Sequence, residues 1–401
     1  MVLSSNFYKV LLRPLLFLLP TESAHKITNL VLRRQSLWKV ISKQLSFTDE
    51  KLNLNWCGFS IQNPVGLAAG FDKDCEMLPS LASMGFGYLT GGTVTADEKP
   101  GNPQPRILRN KYEQSLTNAM GFPNKGVGAA AISLSKIKGK LSKTPIAVSI
   151  SGTKIHDILE CQKFLEPLAD VIEINISSPN TAGLKVFQEP TSLDELIGKI
   201  NNVRHKPLMI KLPPYSSKDI EKARENILSL ARICTSKGVE GLTIANSRPV
   251  IDDRLSIGKG GLSGKPIFED TIQMVADIRS EVGSKIIINA CGGIFTGEDA
   301  WRALQAGANT VQLYTGLIYN GPGIVREINR GILKLIGKQN GLSALNTILI
   351  VLSNKLSMIR QNALELIDSH IPPTHNKNYF FATELIFNIN RSGKRGSTSM
   401  F

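Results

Sequence analysis

Residues 173–184 read EINISSPNTAGL, an apolar strand pattern that stops in two serines, a proline and an asparagine. Such a cluster suits a plain turn, since Ser, Pro and Asn each favour turns for steric or hydrogen-bonding reasons of their own. It also suits the rim of an active site, and the ends of the other apolar runs bear on the choice. One run leads into Gly70, Asp72 and Lys73, another into Gly92 and Thr93, and a third ends in Ser149 and Ser151. The EINISS run supplies Asn175, Ser178 and Asn180, and later runs supply Lys211, then Asn246 and Ser247, then Gly292 and Gly293, and finally Tyr314, Thr315 and Gly316. This set is amides, hydroxyls, glycines and two lysines, with no histidine and little carboxylate. It lacks the clustered His, Asp, Glu or Cys donors of a metal centre, so metal-assisted hydrolysis drops out.

The two last glycine clusters admit two readings. Each alone is an ordinary loop. Together, following the final two runs, they suit a phosphate, because backbone N–H groups approach an anion closely only where no side chain intervenes. A phosphate beside Lys211 and several carboxamides fits flavin mononucleotide (FMN), whose ring edge carries both N–H and C=O groups that amides can match. Lys73 and the asparagines could then hold a second, planar, anionic molecule over the ring. A buried lysine needs such a partner, since an unpaired ammonium is costly to bury; a lysine snorkelling to the surface is the plain alternative.

The elements that must position these residues follow a rhythm. From about Asn63 to Gly337 eight short apolar runs (PVGLAAG, GYLTGG, PIAVSIS, VIEINIS, LMIKL, GLTIAN, KIIINAC and TVQLYTG) alternate with helical patterns such as 220–237, 269–282 and 297–306. Alternating βα units predict a parallel sheet. Eight of them in roughly 250 residues predict a closed (β/α)8 TIM barrel rather than an open doubly wound sheet, and place the site at the C-terminal strand ends. Residues 100–124, rich in Pro, Gly, Asn and Arg and without clear period, read as a long insertion over the barrel mouth.

The expected organisation is an N-terminal amphipathic helical segment over 1–45, the barrel over 46–340 and an extension of unassigned role over 341–401, with one or two packed helices and a disordered end as its plain reading. The segment NFYKVLLRPLLFLLPTESAHKITNLVLRR reads as two short helices, with Thr21 as N-cap of the second and Ile27, Leu30 and Val31 at helical spacing. Its first apolar run is shorter than the ~20 residues that span a bilayer. A core-packing pair or a targeting peptide would account for it. Lys9, Arg13, Lys26, Arg33, Arg34, Lys39 and Lys43 instead favour a pair lying on an anionic membrane surface. The formal net charge of +14 agrees with an anionic partner, lipid or nucleic acid. Five cysteines, odd in number and without a C-x-x-C pair, argue against a disulfide framework or a zinc site and for a reducing compartment.

From about Phe7 to Gly337 the chain resembles the dihydroorotate dehydrogenase family, in its quinone-dependent, membrane-associated class. PTESAH, NPVGLAAGFDKD, GGTVT, NAMGFPNKG, INISSPNTAGL, MIKL, GGLSGKP, ACGGI and VQLYTG carry the resemblance jointly. It implies oxidation of dihydroorotate to orotate in pyrimidine biosynthesis. Electrons would pass through FMN to a membrane quinone, with no nucleic acid as partner. It implies FMN contacts at Ala69, Gly70, Phe71, Asp72, Lys73, Thr93, Ser149, Asn175, Lys211, Ala245, Gly264, Gly293, Tyr314 and Thr315. Substrate contacts would fall on Lys73, Asn118, Ala119, Met120, Gly121, Phe122, Asn175, Asn180, Asn246 and Ser247, with Ser178 as catalytic base, Thr181 to Pro190 as a lid, and Arg109 and Tyr314 on a quinone tunnel. The location implied is peripheral, on the cytoplasmic face of the cell membrane, or on the inner mitochondrial membrane in a eukaryote. Ser149 stands where the family commonly has a flavin-contacting Asn, Ala119 replaces a bulkier residue, and Asn289 to Cys291 also depart from the pattern.

Two competing readings make different demands. A dihydrouridine synthase, also a flavin barrel, would need a cysteine where this chain has SSPN and a basic helical C-terminal domain. A flavin or phosphate barrel without chemistry would have no use for Lys73, Ser178 and the asparagines together.

Overall fold

A computed structural model describes residues 7–141, 144–178, 183–215 and 219–339. Asn180, the first residues of the expected lid and the whole 341–401 extension lie outside the described residues. The chain divides into a unit Met1–Leu335 and a unit Ile336–Phe401.

Each of the eight apolar runs forms a strand: β1 (Val65–Leu67), β2 (Tyr88–Val94), β3 (Ile146–Ile150), β4 (Val171–Asn175), β5 (Leu208–Lys211), β6 (Gly241–Ile244), β7 (Ile287–Cys291) and β8 (Thr310–Leu313). They pair in parallel and close in sequence order into one barrel, as the βα rhythm predicts. The helices fall within a residue of their expected bounds, at Ile220–Ser236, Phe268–Val282 and Gly297–Gln305. Side-chain caps set the starts of the first and third. Asp219 accepts from the Lys222 N–H at 3.0 Å, and Thr296 with Asp299 forms a reciprocal capping box.

The N-terminal end of the barrel is plugged. A hairpin, Leu54–Trp56 with Phe59–Ile61, turns through Cys57 and Gly58, whose φ values of 51° and 86° match the twist of a two-residue connection. It drives Trp56 onto the Tyr88 ring, centroids 4.0 Å apart and stacked. Trp56 Nε1 donates to Asn289 Oδ1 at 3.1 Å, and the Tyr88 hydroxyl lies 2.7 Å from Thr310 Oγ1. Gly66 makes room for this aromatic: a Cβ there would sit 2.2 Å from the Tyr88 ring.

Above the opposite end, the 100–124 insertion is more ordered than its composition suggests. It holds a hairpin, Ile107–Asn110 and Ser115–Asn118, which joins Lys259–Gly264 and Arg248–Ile251 in a four-stranded antiparallel sheet. The N-terminal segment also differs from expectation. A π-helical turn, Tyr8–Leu12, runs into a short helix, Arg13–Leu18, followed by helices Thr21–Leu32 and, unforeseen, Gln35–Leu45. Pro20 takes the cap position of the Thr21–Leu32 helix, Thr21 is its first residue, and no side chain caps it. A fixed φ suits Pro to that boundary.

These helices are fastened to the cap sheet and to the short helix Thr315–Asn320 that follows β8. Tyr8 donates to the Ile318 carbonyl at 2.7 Å, and Arg13 to that of Tyr319 at 3.0 Å. Arg106 pairs with Glu22 at 3.2 Å. Arg109 donates to the carbonyls of Leu16, at 3.2 Å, and Leu19, and lies 4.6 Å over the Phe17 ring. It thus satisfies acceptors at a helix C-terminus, where a cation is favoured.

Candidate active site

One cavity of about 520 Å³ runs from the strand ends to the inner face of the N-terminal helices. Its polar part is walled by Ala69, Gly70, Phe71 and Lys73 after β1, Thr93 on β2, Asn175 and Ser178 at the end of β4, and Lys211 on β5. Ala245, Asn246 and Ser247 follow β6, Gly293 follows β7, and Tyr314 and Thr315 follow β8. The cap sheet and the loop after it bring Asn118, Met120, Gly121, Phe122, Gly264 and Arg109 to the same space. The structure therefore gathers nearly all of the sequence-derived set around one volume.

Three of that set stand elsewhere. Asp72 turns its carboxylate into its own loop, accepting the Glu76 and Met77 N–H groups at 3.0 and 2.7 Å. Burial lifts it to about 6 against those hydrogen bonds. It shapes the loop that carries Lys73 instead of touching the cavity. Ser149 is fully buried behind Thr93, with the two hydroxyl oxygens 3.1 Å apart. Ala119 is fully buried in the loop, its N–H held by the Arg106 carbonyl at 2.8 Å. Membership of a motif did not reveal which way each side chain points.

Lys73 Nζ donates to the Gly70 carbonyl at 2.8 Å, and burial pushes its ammonium down to about 8, with Asp74 partly opposing. Burial also pushes the Tyr314 hydroxyl up to about 12, so it stays protonated; its oxygen lies 3.5 Å from the same Gly70 carbonyl. Asn175 Nδ2 donates to Thr93 Oγ1 at 3.1 Å. The glycines after β7 and β8 are close-packing positions. A Cβ at Gly293 would lie 2.5–2.8 Å from Phe268, and one at Gly316 would lie 2.3 Å from the Ile294 carbonyl oxygen.

Leu12, Leu16, Phe17, Ala24 and Val31 contribute apolar wall under the N-terminal helices, beside Thr28 and a residue the sequence reading missed, His25. Burial, with Lys73 and Arg106 nearby, drives its imidazole down to about 4, so it is neutral at pH 7. The signal was available: Thr21, Ala24, His25 and Thr28 fall on one face at helical spacing. The segment also leaves much apolar surface accessible. Ten of the 17 exposed large hydrophobics among the described residues lie between Phe7 and Val40, with Val10, Leu18 and Val40 each about four-fifths exposed. No helix among the described residues is long and apolar enough to cross a membrane.

Polar strand ends and an apolar antechamber share one volume at the mouth of a (β/α)8 barrel, the architecture of a barrel enzyme. The chain belongs to the dihydroorotate dehydrogenase family, whose sequence model, described as Dihydroorotate dehydrogenase, matches residues 51–336. A protein named dihydroorotate dehydrogenase (quinone) from Chloroflexus aurantiacus is 36% identical over 357 residues, covering 82% of this chain and 96% of the relative. One of the same name from Mycobacterium marinum is 35% identical over 353 residues, covering 84% and 95%. The crystal structure of DHODH from Eimeria tenella in complex with ferulenol is similar at a TM-score of 0.69 and 27% identity, covering 80% of this chain and 92% of that one. Family membership sets aside the dihydrouridine synthase reading.

Proposed function

We propose that this protein oxidises dihydroorotate to orotate, with FMN as its prosthetic group and a membrane quinone as electron acceptor. The observation that carries the reading is the single cavity joining Lys73 and Ser178 to the apolar face of the N-terminal helices. The wall also suits a flavin. Gln312 keeps Oε1 buried on it without a hydrogen-bond partner among the described residues. Lys211 brings a buried ammonium with no ion-pair partner among the described residues. Buried polar groups of this kind call for a ligand with both donors and acceptors. Gly70, Thr93, Asn175, Lys211, Gly293, Tyr314 and Thr315 would hold the group, and FMN when bound supplies a two-electron acceptor for the hydride of C6.

The protein's own part is binding, proton removal and exclusion of water. Lys73 meets the substrate carboxylate, and Asn118, Asn175 and Asn246 offer carboxamides to the ring's polar edge. Ser178, 8% exposed, takes the proton from C5. A serine is a weak base, so it needs a closed, dry site. The quinone ring reaches the site through the antechamber beside Tyr314 and Arg109. The exposed leucines and valines rest on an anionic lipid surface; Lys26, Arg34, Lys39 and Lys43 supply the charge, since Lys9, Arg13 and Arg33 are engaged with Glu327, Tyr319 and Glu76. The purified protein should be yellow, bleach anaerobically with dihydroorotate and recolour with a long-chain quinone. A colourless protein, or one that dihydroorotate leaves yellow, overturns the reading.

A further inference from the structure

Ser177 is the neighbour of the candidate base, but it does not line the cavity. It is 2% exposed, and its hydroxyl is committed in both directions. Oγ donates to Asn175 Oδ1 at 2.8 Å and accepts from Asn246 Nδ2 at 3.0 Å. One oxygen therefore ties the end of β4 to the end of β6, passing over β5 between them. Only a group that donates and accepts at once can make this bridge.

The polarity of both carboxamides is set by backbone donors that cannot reverse. The Ser177 N–H points at Asn175 Oδ1 at 3.1 Å, and the Ser247 N–H at Asn246 Oδ1 at 2.7 Å. With both oxygens turned to the protein, the amino groups remain. Asn175 gives one N–H to Thr93, and Asn246 gives one to Ser177, which among the described residues leaves each a second N–H to offer a ligand. Turning either amide over would place its NH₂ against a backbone N–H, two donors facing each other.

Resting on the proposed function, we infer that Ser177 is a positioning residue: its hydroxyl couples Asn175 and Asn246 so that both present N–H donors together, selecting a substrate whose edge is rich in acceptors. The serine pair then divides the work. Ser178 faces the reacting carbon, and Ser177 sets the amides that hold the ring. Without the bridge, Asn246 loses an acceptor and Asn175 a donor, and both are free to drift from the ligand.

Orotate titration of the flavin-loaded enzyme, read from flavin absorbance, tests this. Ser177→Ala should weaken orotate about tenfold, the size of one buried hydrogen-bond defect. It should raise KM for dihydroorotate more than it lowers the rate of flavin reduction at saturation. Ser177→Thr, which keeps the hydroxyl, should restore binding to within about threefold of wild type. In an Asn246→Ala background, adding Ser177→Ala should cost much less than it does alone, since coupled residues are non-additive. Wild-type orotate affinity in Ser177→Ala, full additivity with Asn246→Ala, or equal loss in the Thr and Ala variants would each overturn the positioning role. Failure of the wild-type enzyme itself to bind orotate would instead overturn the proposed function.

Discussion

The two ends of the cavity are built on opposite principles. At the strand ends, Thr93, Asn175, Ser177 and Asn246 are linked by hydrogen bonds of 2.8–3.1 Å among buried groups, a network that fixes direction. Under the N-terminal helices the wall is largely alkyl and aromatic, and His25 on it is kept neutral. On the proposed function, the first arrangement would discriminate by hydrogen-bond pattern and the second by apolar fit. Specificity for the polar reactant and tolerance for the lipid-soluble one would then be separable properties of one volume.

The sharpest way to break this division is to remove one side of it. Deleting residues 1–34 should reduce turnover with a long-chain quinone to background and abolish sedimentation with anionic vesicles, while dihydroorotate still bleaches the flavin and a small soluble dye still reoxidises it. Loss of flavin reduction in that variant would mean the two ends are not independent. Next in size is Ser178→Ala, which should slow flavin reduction in a stopped-flow experiment by about 10²- to 10⁴-fold, the usual contribution of a general base, with orotate affinity nearly unchanged.

Lys73→Ala should weaken orotate by an amount set by a charge-assisted hydrogen bond, ~1.5–3 kcal/mol, or about ten- to a hundredfold. In the wild-type enzyme the sign of the pH effect follows from the lowered ammonium. Lys73 is protonated below about 8, so orotate affinity should hold at neutral pH and decline as pH rises through that value. An affinity flat to pH 9 would separate Lys73 from the carboxylate. The smallest change expected is Arg109→Ala. It frees the carbonyls of Leu16 and Leu19, and should raise KM for quinone roughly fivefold, for about 1 kcal/mol of docking, with flavin reduction untouched.

The barrel was legible because each strand is a short apolar run, and because chemistry in this architecture collects where such runs turn polar. The cap sheet was not. Its strands are four to six residues long, and Ser115–Asn118 pairs with Lys259–Gly264, more than 140 residues away, so no local period announces it. The bridging hydroxyl was hidden for a related reason. The sequence places Ser177 and Ser178 side by side at a strand end, but only the fold shows that one faces the cavity while the other faces two asparagines. The Gln35–Leu45 helix is a plainer omission, since Trp38, Ile41 and Leu45 are buried at helical spacing and could have been read.

The aromatic plug has a consequence for how this protein can change. Trp56 and Tyr88 close the barrel at the end remote from the cavity, and none of the residues in their cluster lines it. Conservation of function therefore places little demand on that cluster beyond shape and hydrogen bonding, the ordinary condition of a barrel's N-terminal face. Heat tolerance can be selected there, by repacking around the stacked rings, while substrate preference is selected at the other end, and a library drawn from one set of positions leaves the other set's phenotype alone.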